Sequence, residues 1–545
     1  MQAAATIFKK LLEARKITPE IQEAFLLPDY ENAKHDPFLL PDMRAAVDRI
    51  KLAIERHEKV FIYGDYDIDG LTATTLLIEA FTAFGLEVET FIPNRFVDGY
   101  GLSKRAINEV IDKGAQLIVT VDCGSLSHKE IAHALTRGVE VVVTDHHNVA
   151  EQQPPAVATI NPKRSDHNYP FIDLAGVGVA FKLVQALQAE CEGLPIGHEK
   201  WLLDLVAFGT VCDVVTLKDE NRANVHWGLK VLQKTRRPGL KALMAVAAVE
   251  PEQISARTLG FVLGPRLNAA GRMETAKLAL DLFTTDDPQV ALSLAYKLQE
   301  LNQSRRTEQD RIFVEAQVQA EQYDELPVLV VSDPSWSHGI IGIVAAKLLE
   351  KYKKPAYVLQ ELDDSTAKGS ARSYGDFSAA DAIRASETHI LKGGGHKLAA
   401  GVTLEINKIA AFRQSVNDFY ASLQLSDQPL LLDPVADATL SNFAGINEEL
   451  YDQLARLEPF GHGNPVPIFC FQNVTVDDRR EMGAEKQHLK LRLRDDENNF
   501  LSVLAFSKAG DISSQPGDQV TAWVELTVNE WQGRRTIESK LLKII

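Results

Sequence analysis

Val60-Phe61-Ile62-Tyr63-Gly64-Asp65-Tyr66-Asp67-Ile68-Asp69-Gly70 is the stretch on which the fold turns. Its four apolar β-branched or aromatic residues predict a short strand, and three acids follow at once. Leu71 to Phe84 is apolar and Ala-rich and is closed by Gly85, which predicts a helix, and a second strand falls near Val88 to Ile92. The pattern then repeats. Ser103 is placed to cap a helix that runs to Gly114, Leu117 to Val121 reads as a third strand, Ser127 to about Arg137 as a helix stopped by Gly138, and Val139 to Thr144 as a fourth strand. Short strands alternating with helices are the signature of an α/β fold, a parallel sheet wrapped by crossover helices.

Outward from this unit the texture changes twice. Residues 198–211 read as a deeply apolar helix, and helical signals dominate from about 218 to 326. Gln289 to Leu326 contains neither Gly nor Pro and predicts one helix of about 50 Å, long enough to join two lobes. From Pro327 the alternation resumes, with strands at Val328 to Val331 and Ala356 to Leu359 around a helix at Ile340 to Tyr352. Gly369-Ser370-Ala371-Arg372-Ser373 and a Gly393-Gly394-Gly395-His396 loop follow. This reads as a second, smaller α/β domain. Beyond Gln428, short alternating segments such as His488-Leu489-Lys490-Leu491-Arg492-Leu493, separated by Gly-, Asn- and Asp-bearing turns, predict a small antiparallel barrel of the OB type.

The chain has 545 residues, enough for three or four domains at about 150 residues each. Apolar residues at 45% and charged residues at 24% exclude wholesale disorder and fibrous repetition. No apolar run approaches the roughly 20 residues of a membrane span, and no signal peptide is read. With 58 Lys plus Arg against 75 Asp plus Glu, the net charge of −17 argues against a uniformly basic nucleic-acid coat and leaves room for a local basic path. Cys123, Cys191, Cys212 and Cys470 form no CxxC pair, which fits a reduced compartment, the cytoplasm, and offers no zinc ribbon.

Three of the four early strands end in acids: Asp65, Asp67 and Asp69 after the first, Asp122 after the third, and Asp145-His146-His147 after the fourth. A single acid there is ordinarily a turn former or a helix cap. In an open parallel sheet, however, the ligand crevice lies at the carboxyl ends of the strands, so these groups are expected to converge. At least five carboxylates and two imidazoles in one crevice repel one another unless cations neutralise them. Asp213, in an otherwise apolar stretch, is a further candidate. Carboxylates with one or two imidazoles suit two Mn²⁺ or Mg²⁺ ions, a set able to activate a water and hold the leaving oxygen of a phosphodiester.

Gly64 to Gly70, Val121-Asp122-Cys123-Gly124, Asp145-His146-His147 and Gly209 to Asp213 resemble the four motifs of the DHH phosphoesterases. Gly393 to Gly401 resembles the signature of their associated DHHA1 domain. Within that superfamily the resemblance is closest to the RecJ family of single-strand-specific exonucleases. Leu174 to Ala180, Pro265 to Arg272, Phe460-Gly461-His462-Gly463-Asn464-Pro465 and Asn529 to Gly533 are similar to its further motifs.

The resemblance implies a helical segment at 1–45, a DHH catalytic domain at 46–217, a helical connector at 218–326, a DHHA1 domain at 327–427 and a nucleic-acid-binding OB domain at 428–545. It implies Asp67, Asp69, Asp122, His146 and Asp213 as ligands of two divalent ions, with Asp65, Asp145 and His147 in or just behind that shell, and His396 at the scissile phosphate. Arg272 is implied as the main phosphate clamp, with Arg95 and Arg306 at a 5′-phosphate pocket and Asn268, Ser370, Arg372, Gly394 and Gly395 along the strand.

The implied activity is metal-dependent 5′ to 3′ hydrolysis of single-stranded DNA to 5′-mononucleotides in recombination and repair, beside single-strand-binding protein and a RecQ-type helicase. A phosphodiesterase of short or cyclic dinucleotides and a non-catalytic Cdc45-like scaffold are the alternatives. The added barrel counts against the first and the complete ligand set against the second. In the barrel, Lys490, Arg492 and Arg494 share one strand face, and Phe500 and Trp531 are candidate stacking residues. The chain departs from the pattern at Ser337, with His338 one place late, and at Thr216, where Pro is usual. Cys123 and Cys212 neighbour predicted ligands, which raises the question of oxidation sensitivity.

Overall fold

In the computed structural model, which describes residues 2–99, 101–425, 431–531 and 534–545, the chain divides into two compact units. One is formed by Met1–Gly271, Ala276–Tyr296 and Pro434–Ile545, the other by Arg272–Thr275 and Lys297–Asp433. The first contains a five-stranded sheet of β1 (Lys59–Tyr63), β2 (Glu87–Phe91), β3 (Leu117–Val121), β4 (Glu140–Thr144) and β5 (Ala158–Ile160). Their order is β2-β1-β3-β4-β5 and every pairing is parallel. The chain therefore leaves β1 toward one edge and returns past it to build the other. The switch lies between β1 and β3, where such sheets open a crevice at their carboxyl ends.

The helix Ile68–Ala83, which follows β1, is buried over most of its length. Thr72, Thr74 and Thr75 enter this apolar setting because each hydroxyl donates to the carbonyl four residues back, at 2.8, 2.7 and 2.8 Å.

The same unit carries a barrel of β11 (Ala438–Leu440), β12 (Ile468–Met482), β13 (His488–Arg494), β14 (Phe500–Ala505), β15 (Gln519–Trp531) and β16 (Arg534–Ile544). β12 to β16 close on themselves through the β12–β15 pairing, β14 and β16 run parallel, and β11 is added beside β12. This is the five-stranded closure expected of an OB barrel. Leu489, Leu491 and Leu493 fill its interior, while Lys490, Arg492 and Arg494 point outward. The N-terminal helix Gln2–Ala14, which the sequence sets apart as its own segment, places Ala4, Ile7, Phe8, Leu11 and Leu12 in the barrel's core.

The second unit is a mixed sheet of β6 (Leu329–Asp333), β7 (Ala356–Glu361), β8 (Thr366–Arg372), β9 (Lys392–Gly395) and β10 (Ala399–Glu405), in the order β6-β7-β8-β10-β9. Only β6 and β7 are parallel, joined by the helix His338–Tyr352. The Gly393–Gly395 segment, expected as a loop, is part of the edge strand β9. Its register against Val402 and Gly401 of β10 holds Gly393 and Gly394 in the strand, and Gly395, opposite Ala400, ends it at φ 143°. A 34-residue helix, Pro288–Glu321, contributes to both units. The expected boundary at 427/428, the pair Gln532-Gly533 and the Trp531 side chain lie outside the described residues.

Candidate active site

The acids after β1 are placed by the turn into the next helix. Asp67 is its N-cap, with Oδ1 accepting from the backbone N–H groups of Asp69 at 2.9 Å and Gly70 at 3.2 Å. Asp69 sits in the first turn and is held from the other side. The N–H groups of Gly176 and Val177, which open the helix Gly176–Gln188, donate to its two oxygens at 2.6 and 2.8 Å. A helix N-terminus is thus spent on fixing a carboxylate. Asp65 is buried between these elements, and a Cβ on Gly70 would lie 2.7 Å from the Asp65 backbone nitrogen. Asp122 follows β3 in the left-handed region, φ 60°, its N–H donating to Thr144 O at 3.0 Å. A buried aspartate in that conformation carries a backbone cost that the surrounding contacts must offset.

His146, after β4, is where these acids meet. Its Nε2 lies 3.1 Å from Asp122 Oδ1, 3.6 Å from Asp213 Oδ2 and 3.8 Å from Asp69 Oδ2. Asp213 arrives as the C-cap of the helix Leu203–Cys212. Three overlapping groups each bring ligand atoms within 4.8 Å of one another: Asp122, His146 and His147; Asp69, His146 and Asp213; and Asp65, Asp67 and Asp122. Asp145 is used differently. Its Oδ1 accepts from the backbone of His146 at 2.8 Å and of His147 at 3.1 Å and from the His147 ring Nδ1 at 2.9 Å, while Oδ2 accepts from Ser125 N at 2.9 Å. It orients His147 and the turn.

The electrostatics show what the cluster lacks. Burial, then the neighbouring Asp67, holds Asp65 well above the usual carboxylate range, and burial followed by Asp69 does the same to Asp122. Asp69 is pushed up to about 7 by burial and Asp67, and Asp213 to about 9 by burial and Asp69. Burial, then His147, takes His146 down to about 3, so its imidazole is neutral. At Asp145 burial is the largest influence and opposes ionisation, but the hydrogen bond and charge of His147 together with the backbone N–H groups of Ser125 and His147 outweigh it, and the carboxyl stays well below its ordinary range. Four carboxyls that resist ionising together and a neutral imidazole make a donor set short of positive charge, and oxygen with nitrogen donors suits Mn²⁺ or Mg²⁺. The thiols beside it stay out of this set. Cys123 and Cys212 donate to Tyr63 O and Leu259 O at 3.9 and 3.8 Å, and burial pushes both thiols up, which favours the protonated form.

The expected substrate residues fall in both units. In the first, Arg95 stacks its guanidinium 4.3 Å from the Tyr66 ring centroid and draws Asp65 toward ionisation, and Asn268 lies half-buried on the helix Gly264–Met273. In the second, Arg272 Nη1 donates to Gly339 O at 2.9 Å, at the start of the helix His338–Tyr352. A Cβ on Gly339 would meet Arg272 O at 2.4 Å, and one on Gly342 would lie 3.4 Å from both Arg372 Nη2 and Ser370 Oγ. Arg272, Ser370 and Arg372 are therefore gathered around one helix N-terminus, a favourable place for a phosphate. His338 is the first residue of that helix, its N–H donating to Gln360 Oε1 at 3.0 Å. Gly394 and Gly395 lie exposed on β9, His396 begins the turn to β10 with its N–H on Ala399 O at 2.8 Å, and Arg306 is exposed on the long helix.

Two residues near the centre carry no signal that the sequence reading used. Asn161, fully buried beyond β5, donates from Nδ2 to Ser125 Oγ and His147 O, both at 2.9 Å, and accepts from Lys163 N at 2.9 Å. Exposed Lys163 thereby places a positive charge that acts on both His146 and Asp213. The signal was the Asn-Pro-Lys turn after a strand of only three residues, too short to show periodicity. In the barrel, each outward cation has a carboxylate partner: Lys490 with Glu538, Arg492 and Arg494 with Asp477. Phe500 is half exposed beneath Arg492, 5.2 Å from the guanidinium, rather than in the core.

Residues 59–210 match the N-terminal domain of the DHH family, 325–422 the DHHA1 domain and 436–543 the RecJ OB domain. The chain is 35% identical over 545 residues to the single-stranded-DNA-specific exonuclease RecJ of Bacillus subtilis, covering 97% of this chain and 68% of that one. It is also 35% identical over 522 residues to the Escherichia coli exonuclease of the same name, covering 92% and 89%. Its fold superposes on the crystal structure of Thermus thermophilus RecJ in complex with Mn²⁺ with a TM-score of 0.82 at 30% identity, covering 99% of this chain and 78% of that one. The corresponding Mg²⁺ complex gives 0.77 at 29% identity, covering 99% and 76%.

Proposed function

The chain belongs to the RecJ family of exonucleases, and from that membership we propose that it is a metal-dependent hydrolase of single-stranded DNA that works from the 5′ end and releases 5′-mononucleotides. The observation that carries this reading is the meeting of Asp69, Asp122 and Asp213 at His146, from four separate chain segments. Asp67, Asp69, Asp122, His146 and Asp213 would hold two Mn²⁺ or Mg²⁺ ions, with Asp65 and His147 beside them. Such ions, when bound, supply the charge that makes water nucleophilic near neutral pH and offsets the charge gathering on the phosphoryl oxygens.

The chain's own residues do the rest. Gly176 and Val177 fix the rotamer of the ligand Asp69, and Asp145 fixes the plane of His147 beside the ligand set, so both side chains are set before substrate arrives. Arg272, Ser370 and Arg372, gathered about one helix N-terminus, are the phosphate contacts of the second unit, and Arg95 is the phosphate contact of the first. His396, on its glycine-flanked turn, brings a donor to the scissile phosphate. The barrel offers the outward face of β13 and Phe500 to the strand beyond.

A cytoplasmic role in recombination and repair fits this chemistry, since an enzyme confined to free single-stranded 5′ ends needs a helicase of the RecQ type to expose them and works among single-strand-binding proteins. The deciding experiment is digestion of a single-stranded oligonucleotide labelled at either end, with Mn²⁺, Mg²⁺ or chelator, beside a blunt duplex. A 5′-labelled mononucleotide should appear at once, only with metal, while the duplex survives. Arg272→Ala should lose most of the parent's preference for a 5′-phosphate over a 5′-hydroxyl end. Survival of the long strand with cleavage of dinucleotides or cyclic dinucleotides would replace this reading by a small-substrate phosphodiesterase.

A further inference from the structure

Phe261 is 70% exposed, although it lies in the apolar run Leu259-Gly260-Phe261-Val262-Leu263 of the first unit. Leu259–Leu263 forms a single π-helical turn running directly into the helix Gly264–Met273. Leu259 and Leu263 are buried on either side of Phe261. A π turn inserts one extra residue into a helix and is found disproportionately where a side chain has a task. The turn packs against the end of the helix that leads to Asp213. Cys212 Sγ meets Leu259 O at 3.8 Å, a Cβ on Gly260 would lie 3.7 Å from Val211, and one on Gly264 would lie 2.8 Å from Cys212 Sγ. Val211 and Cys212 directly precede Asp213, and Val214, in the left-handed region at φ 62°, is itself 63% exposed.

One further feature tells against an incidental apolar patch. The exposed Arg257 holds its guanidinium 5.5 Å from the Phe261 ring centroid and pairs with no carboxylate among the described residues, although acids outnumber bases in this chain. A bare aromatic face with an unpaired cation beside it is the arrangement that accepts a nucleobase and its phosphate. Base stacking on such a face is strong and indifferent to sequence.

We propose that Phe261 is a stacking platform for one base of the single strand at the rim of the metal centre, a contact that a paired and stacked duplex base cannot make. The inference rests on the exonuclease reading and assigns to this side chain part of the enzyme's preference for single strands.

The test uses the full chain with Mn²⁺ and 5′-phosphorylated single strands, one with all bases and a series with a single abasic site moved along the first six positions. The parent should show a raised KM, roughly tenfold, when one particular base is missing. Phe261→Ala and Phe261→Leu should show that rise on the complete strand with kcat kept and should no longer sense the missing base, while Phe261→Trp keeps both properties. The ring is exposed, so these variants fold. A parent KM in Phe261→Ala, rescue by Leu as good as by Trp, or a loss confined to kcat would each overturn the proposal. A parent that hydrolyses no single strand would instead overturn the exonuclease reading, a result visible before any variant is made.

Discussion

Asp122 concentrates the chemistry of the centre in one residue: a left-handed backbone, a buried carboxylate and a 3.1 Å approach to His146. Its neighbours make the metal-free protein sensitive to pH in a direction that can be worked out. Asp69, ordinarily at 3.8, is pushed up to about 7 by burial and Asp67, and Asp213 to about 9 by burial and Asp69. Between those limits the folded chain holds protons that the unfolded chain has released, so the stability they contribute is complete at low pH and is lost as pH rises through 7 and 9. Divalent ions displace those protons, so their stabilising effect should grow over the same range. In melting experiments with chelator, Tm should fall between about pH 5 and pH 8.5, and Mn²⁺ should restore it most at the higher pH. Asp122→Asn should raise Tm in chelator at high pH, shrink the Mn²⁺ increment and cut hydrolysis by more than about a hundredfold. A Tm indifferent to Mn²⁺ at both pH values would remove the metal centre from this account. The acids were legible in the sequence because each follows an apolar run. Asn161 and Lys163 were not, because what places them is hydrogen bonding to Ser125 and His147, and no periodicity records that.

At the scale of elements, the helix Gly176–Gln188 shows why the centre needs particular small residues. A Cβ on Gly176 would fall 2.7 Å from both Cβ and Oδ1 of Asp122, whereas one on Gly178 would meet only Leu174, at 3.4 Å or more. Alanine in place of glycine within a helix ordinarily gains about 0.5–1 kcal/mol. Gly178→Ala should therefore be neutral or slightly stabilising with activity intact. Gly176→Ala should push the helix N-terminus off Asp69 and displace Asp122, lowering hydrolysis about ten- to a hundredfold and blunting the Mn²⁺ increment in Tm. Equal turnover by the two variants would show that this helix does not support the ligands. The pattern from Leu174 to Ala180 was visible in the sequence as a motif, but its reason was not, since the partners lie at Asp69 and Asp122. The edge strand β9 is illegible in the sequence for a related cause. Three glycines carry no strand preference of their own, and pairing with β10 decides the conformation.

At the scale of the whole first unit, the catalytic sheet and the barrel are one folded body, and Phe460 to Pro465 explains how. Leu217 N donates to His462 O at 2.8 Å, a Cβ on Gly461 would meet Leu217 at 2.7 Å, and Gly463, at φ 74°, lies against Thr216. The barrel is thus fastened four residues beyond Asp213. Arg222 completes the joint from inside. Its buried guanidinium donates to Phe25 O at 2.9 Å and Glu458 O at 2.8 Å and stacks 3.8 Å from the Phe25 ring centroid. Asn464 donates to Leu457 O and Pro459 O at 2.8 and 2.9 Å while Arg15 reaches its Oδ1 at 2.9 Å. Sequence could place the motif but not its partners at Arg15, Phe25 and Arg222, more than 200 residues away at the nearest. Arg222→Met keeps the bulk and strips the donors, leaving the partly buried carbonyls of Phe25 and Glu458 without them at a cost of up to about 1 kcal/mol each. In calorimetry the parent's sheet and barrel should unfold in one transition, and the variant should melt several degrees lower or split that transition in two. If the barrel positions the strand through this joint, the variant should also lose more activity on a long single strand than on a short one. Retention of a single unshifted transition would mean that hydrophobic packing of the Gln2–Ala14 helix against the barrel, rather than Arg222, holds the two together.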